Sequence, residues 1–205
     1  MNRASDKEEE LRRARMEVTE ERFFSPHHYL LRSASESLMA AQGSIARSRD
    51  IHILSTMVMS ALSIEALCNA IGYRVIDGWE DFEQIPPWAK IRLICQALKV
   101  PYNRGKSPWQ ELQNLLSFRN MIAHGKPEHI ICKRNFSEWE YAHQMNDCSS
   151  FYPESKFEKK LTVDNARVAL ATVRQVEDVL TLNIPENLKI GITVDAWTHS
   201  VKPLK

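Results

Sequence analysis

Residues 53–73, ILSTMVMSALSIEALCNAIGY, contain one charged side chain, Glu65, in 21 positions. Length alone would let such a stretch cross a bilayer. Against a span stand the polar residues Ser55, Thr56, Ser60, Ser63, Glu65 and Asn69 within it, the lack of an aromatic belt, and amphipathic neighbours able to cover it in water. The stretch is therefore expected to be the central buried helix of a soluble bundle that makes no contact with a membrane. On a helix, Glu65 shares the inward face with Ala61, Leu62, Cys68 and Gly72, and Asn69 follows one turn later. A carboxylate in that position needs a cation opposite it.

Residues 107–126, SPWQELQNLLSFRNMIAHGK, supply one. Ser107 as N-cap, Pro108 at the first helical position, Gln110 as a capping-box partner and Gly125 as the stop predict a helix over 108–124. Leu112, Leu115, Leu116, Ile122 and Ala123 make its apolar stripe, and Arg119 falls inside it. A guanidinium cannot shed its proton, and burying one alone costs several kcal/mol. We therefore expect Glu65 and Arg119 to pair across the core, with Asn69 and Asn120 satisfying the leftover donors and acceptors. At about 100° per residue, Arg119 and His124 point about 140° apart, so they are not expected to stack. In a frayed last turn, however, both can lean toward one cleft. An Arg, an amide and an imidazole beside a helix end make an anion site with a titratable base. The same residue types also suit a core ion pair and a His held by the helix dipole.

The rest of the chain fits a single helical domain. Its 205 residues carry a formal charge of +1, which excludes a protein that coats nucleic acid through bulk charge. Cys68, Cys95, Cys132 and Cys148 show no metal-ligand spacing and read as inert thiols in a reducing, cytoplasmic setting. Residues 1–24, with mixed charges and no apolar signal region, read as a charged helix or arm. From Pro26 an amphipathic helix puts Tyr29, Leu30, Ala34, Leu38 and Ala41 on one face up to Gly43. His27 and His28 read as surface residues, since no third metal ligand is visible near them. Asp77-Gly78-Trp79-Glu80 is a turn, and Pro86-Pro87-Trp88 opens a helix with Ile91, Ile94, Cys95 and Leu98 inside.

Between residues 86 and 133 the basic side chains outnumber the acidic ones by six. Lys90, Arg92, Lys99, Arg104, Lys106 and Lys126, interleaved with Trp88, Tyr102 and Trp109, form a candidate surface for phosphates and stacked bases. A solvated basic face would read the same way. Residues 126–161 lack a period and read as an irregular insertion, with short strands expected near Ile130-Ile131-Cys132. Thr162 then caps a last helix to about Leu182, and residues 185–205 form a tail.

No Gly-rich phosphate loop, nucleophile elbow, zinc-helix motif or Asp cluster is present, so neither metal nor cofactor is expected. The pattern Arg119-Asn120-x-x-x-His124, with Glu65-x-x-x-Asn69 on a central helix, resembles the HEPN family (higher eukaryotes and prokaryotes nucleotide-binding). Many of its members carry an R-x4-6-H motif with a polar residue after the Arg. The match spans about 26–182. It implies an antiparallel bundle of four or five helices that forms a homodimer, two motifs sharing one cleft. It also implies a metal-independent endoribonuclease, of the kind that serves as a toxin or phage-defence effector and answers to an antitoxin or regulatory protein. By that resemblance Arg119 binds the scissile phosphate of RNA, His124 is the general acid/base, Asn120 orients one or the other, and Glu65 and Asn69 are the supporting pair. Some relatives are only nucleotide-binding or interaction modules. The insertion at 126–161 and the tail lie outside the family pattern.

Overall fold

A computed structural model describes residues 16–133, 135, 137, 138, 153–193 and 196–203. Among these, five α-helices dominate: α1 (Pro26–Gly43), α2 (Ala46–Val75), α3 (Pro87–Ala97), α4 (Trp109–Ala123) and α5 (Val163–Leu182). A two-stranded antiparallel ribbon, β1 (Met16–Phe23) with β2 (Ala196–Pro203), completes the fold. α2 is the axis of the assembly and packs against all four other helices. Its buried residues Ile53, Met57, Ala61, Ile64, Leu67, Cys68 and Ile71 recur at steps of three and four, the helical period. Each large apolar side chain so enclosed contributes about 2 kcal/mol. The segment Ser48–Val75 is long and apolar enough to cross a membrane, and half of its apolar window is covered by the protein itself.

The neighbours are shaped to cover it. α1 and α2 are joined by two residues and fold back on each other, with Ala34 and Ala41 fully enclosed. α5 buries Ala166, Ala169, Leu170, Val173, Val176 and Leu180 on one stripe. It begins where the sequence placed it, with the Thr162 hydroxyl accepting from the Asn165 N–H at 3.1 Å. α4 contributes Trp109, Leu112, Leu115, Leu116 and Phe118.

Several local expectations give way. Ser107 makes no capping bond: Pro108 itself occupies the N-cap position and its carbonyl accepts from the Leu112 N–H at 3.0 Å. Ile122 and Ala123, expected in the stripe of α4, are exposed because the helix runs past the edge of the core there. Phe118 takes that inward role and stacks on Phe157, with centroids 5.8 Å apart, as the chain returns from the insertion. Ile130-Ile131-Cys132 forms no strand. Residues 16–23, expected in a charged helix or arm, are a strand, and its partner is the tail: Met16 pairs with Pro203 and Phe23 with Ala196. The ribbon is tied down at its base, where the Arg74 guanidinium lies 4.6 Å from the centre of the Phe23 ring, and Gly191, at φ 82°, lets Phe23 approach the backbone. Residues 1–15, and 139–152 of the insertion, fall outside the described residues.

The end of α2 shows how tight the packing is. Trp79 is 1% exposed and lies flat against Gly72, where an added Cβ would come within 2.3 Å of the indole. Gly72→Ala should therefore lower unfolding stability by about 1–3 kcal/mol or more. Gly43→Ala, where a Cβ meets nothing within 4 Å, should be neutral or gain up to about 1 kcal/mol. Urea denaturation of both variants checks the contrast, and equal effects would contradict this packing.

Candidate functional site

Glu65 of α2 is the point where three helices exchange charge. Arg119 of α4 approaches it with Nη2 3.4 Å from Oε2, and Lys90 of α3 with Nζ 3.9 Å from Oε1. The two cations are placed differently. The Lys90 side chain is 1% exposed, whereas those of Arg119 and Glu65 are 32% and 30% exposed. Lys90 donates to Asn69 Oδ1 at 2.9 Å, so the amide one turn beyond Glu65 holds the buried ammonium. Arg119 donates from Nη1 to Asn120 Oδ1 at 3.2 Å. The expected Glu65–Arg119 pair thus forms with Asn120 as a polar partner, at the rim of the core since both charged side chains are partly exposed, whereas Asn69 serves Lys90 and neither member of the pair. What sequence reasoning missed was Lys90, which was assigned to the RNA-facing surface. Enclosed beneath Glu65, it cannot touch an outside ligand. Its position could have been found, since Lys90 falls between Pro87 and Ile94 on the inner stripe of α3, as Arg119 does on α4.

With Lys90 and Arg119 both counted as cations, the single carboxylate leaves the cluster with a formal excess of one positive charge. The Arg119–Glu65 contact, at 3.4 Å, is long for a charge-assisted bond, which is usually about 2.7–2.9 Å. Of the five N–H donors on Arg119, two are engaged by these partners. The guanidinium is oriented yet keeps donors for an anion.

His124 caps the C-terminal end of α4 and is exposed. Its N–H closes the last turn onto the Asn120 carbonyl at 3.0 Å, and among the described residues its imidazole makes no hydrogen bond or ion pair. The structure therefore joins Arg119, Asn120, Glu65 and Asn69 in one network and leaves His124 beside it, facing solvent. Lys126 lies just beyond, lining a recess of about 400 Å³ with Met121, Gly125 and Glu128. Arg92, Lys99, Arg104 and Lys106 are all exposed. Arg104 sits 5.3 Å from the centre of the Trp88 ring and donates to the Tyr102 hydroxyl at 3.2 Å, while Tyr102 meets Trp109 edge-on. This basic and aromatic surface opens at the start of α4, and Arg119 lies about 15 Å further along the helix.

A larger groove, about 710 Å³, is lined in part by Glu65. Its walls include Leu62, Glu65, Asn69 and Tyr73 of α2, Leu30 of α1 and Phe24. Cys68 and Cys95 are buried and offer no nucleophile to either opening. Burial pushes the Cys68 and Cys95 thiols up to about 12, so both stay protonated. No family model, curated protein or solved structure matches this chain.

Removing Glu65 strands Lys90, which has no route to solvent. Glu65→Ala should cost about 3 kcal/mol or more, whereas in a Lys90→Met background the same change should cost much less. The coupling of Glu65 to Arg119 should be smaller, about 1 kcal/mol or below, because both side chains are a third exposed. Chemical denaturation of the two double-mutant cycles tests the order, and additivity of Glu65→Ala with Lys90→Met would refute the arrangement.

Proposed function

We propose that this protein is a metal-independent endoribonuclease with a HEPN-like bundle, acting as a homodimer in which the Arg119 and His124 of two chains share one cleft. The observation that carries this reading is the pairing of an oriented, partly exposed guanidinium, in a cluster of excess positive charge, with an unengaged imidazole five residues later at the same helix end. Arg119 offers N–H donors to the scissile phosphate and stabilises charge that develops on its oxygens. His124, as general base, takes the proton from the substrate 2′-OH, and Asn120 fixes the orientation of Arg119. The 2′-oxygen attacks phosphorus and the bond to the 5′-oxygen breaks. A second imidazole, supplied by the partner chain, returns a proton to that oxygen. The exposed Arg92, Lys99, Arg104, Lys106 and Lys126 guide the RNA strand, with Trp88 and Tyr102 available for stacking. A toxin or phage-defence role under the control of an antitoxin is consistent with such an activity. A competing reading, a non-catalytic nucleotide-binding or interaction module, is favoured by one observation: Glu65 already holds Arg119.

Incubation of purified protein with RNA in EDTA decides between them. Cleavage should yield 2′,3′-cyclic phosphate and 5′-hydroxyl ends and spare RNA methylated at the scissile 2′-oxygen. His124→Ala should lower the rate by about 10²- to 10⁴-fold with little loss of stability. Arg119→Lys should also fall sharply, because it loses the planar fork. Products with 5′-phosphate ends, or no cleavage at all, would leave the binding module.

The shared cleft has its own test. Mixing Arg119→Ala chains with His124→Ala chains should restore part of the activity, and sizing should show a dimer. A monomer that cleaves RNA would overturn the composite site.

A further inference from the structure

His27 and His28 open α1, and both reach Glu177 of α5. The ligating atoms of the three residues lie within 4.8 Å of one another. His27, expected on the surface, is 1% exposed, because it shares the face of Ala34 and Ala41 at steps of seven residues. His27 Nε2 stands 3.5 Å from Glu177 Oε1 and is buried without a hydrogen-bond partner. Its other ring nitrogen, Nδ1, is hydrogen-bonded to the Ser25 hydroxyl. The two imidazole rings lie 3.8 Å apart, centre to centre.

From this geometry we propose that His27, His28 and Glu177 bind a divalent transition-metal ion of the zinc class. In the tautomer whose Nδ1–H donates to the Ser25 hydroxyl, the lone pair of His27 Nε2 faces the Glu177 carboxylate oxygen, and a cation between them would satisfy both. The 3.5 Å separation is close to the edge of a tetrahedron around zinc, about 3.4 Å for ligand bonds of roughly 2.1 Å. Two imidazoles and a carboxylate suit zinc and its first-row neighbours and are poor ligands for magnesium or calcium. Ser25 plays the part that a carbonyl or hydroxyl commonly plays behind a metal-bound His, fixing the tautomer. His28 and Glu177 are half-buried, so a fourth position is open to water and the ion can enter. The ion clamps the start of α1 to α5. Ser25 and Pro26, which precede this cluster, line the groove beside Glu65. The inference is independent of the ribonuclease reading, since none of its ligands belongs to α4.

The test uses the full chain freed of metal with EDTA and dialysed. Titration with zinc should show one ion per chain and a rise in melting temperature. Cobalt as probe should give the visible absorption of a four-coordinate nitrogen–oxygen site, without a thiolate charge-transfer band. His28→Ala and Glu177→Gln replace half-buried groups, and each should lower zinc affinity by about 100-fold or more. Ser25→Ala should lower it by about 10- to 100-fold. Absence of stoichiometric zinc binding, zinc affinity unchanged in both ligand variants, or a thiolate band from Cys132 would each overturn the site. The cobalt spectrum of the unmutated chain keeps the test decisive even if a variant fails to fold.

Discussion

The Glu65 carboxylate, the lone charge in the apolar stretch 53–73 of α2, is the constraint to which the surrounding helices conform. Desolvating it without a partner would cost more than most single contacts supply. Two helices answer it with cations: α3 from beneath through Lys90 and α4 from the rim through Arg119. Lys90 is itself too deep to be left alone, and Asn69, one turn from Glu65, completes its coordination. Neither helix can slide along α2 without breaking a charge contact, whereas apolar stripes alone would tolerate several registers. The packing of Ile91, Ile94, Leu112 and Leu115 supplies the free energy, and the polar cluster selects the alignment.

That division also separates structure from chemistry within a few ångströms. On its buried side Glu65 faces the Lys90 amine, so part of its charge is already committed. On its open side it orients Arg119 without saturating it. A guanidinium held by two neutral or shared acceptors, rather than by a carboxylate of its own, remains attractive to phosphate. Burial keeps the nearby thiols protonated and out of this balance.

Much of this was readable from residue spacing. The apolar core role of α2, the stripe positions Leu112, Leu115 and Leu116 of α4, the Thr162 cap, and the need for a cation opposite Glu65 all follow from local periodicity and the cost of burying charge. Lys90 obeyed the same rule as Arg119, yet it was grouped by charge with its exposed neighbours, and composition overrode periodicity. His27 likewise keeps step with Ala34 and Ala41, but its third companion, Glu177, comes from a helix 150 residues away. The ribbon was illegible for a related reason. Met16–Phe23 is exposed throughout, carries four charges and gains its order from backbone pairing with the far end of the chain. Interactions decided by tertiary proximity leave no local period to find.

His124 poses the remaining physical question. An imidazole in open solvent can exchange protons, but general acid/base catalysis on a phosphodiester gains most when water is excluded and nearby dipoles are fixed. In one chain nothing among the described residues encloses it, and the helix that carries it runs past the edge of the core. A site of this form gives its full effect only when a second surface closes over the end of α4. That surface must be polar enough to meet Arg119 and must bring a second proton donor. Another copy of the same helix end meets both requirements, since it offers the same excess charge to the phosphate from the opposite side and an imidazole of its own. The two positive clusters would repel across such a cleft until an anion lay between them, which ties the closing of the proposed site to the presence of its substrate.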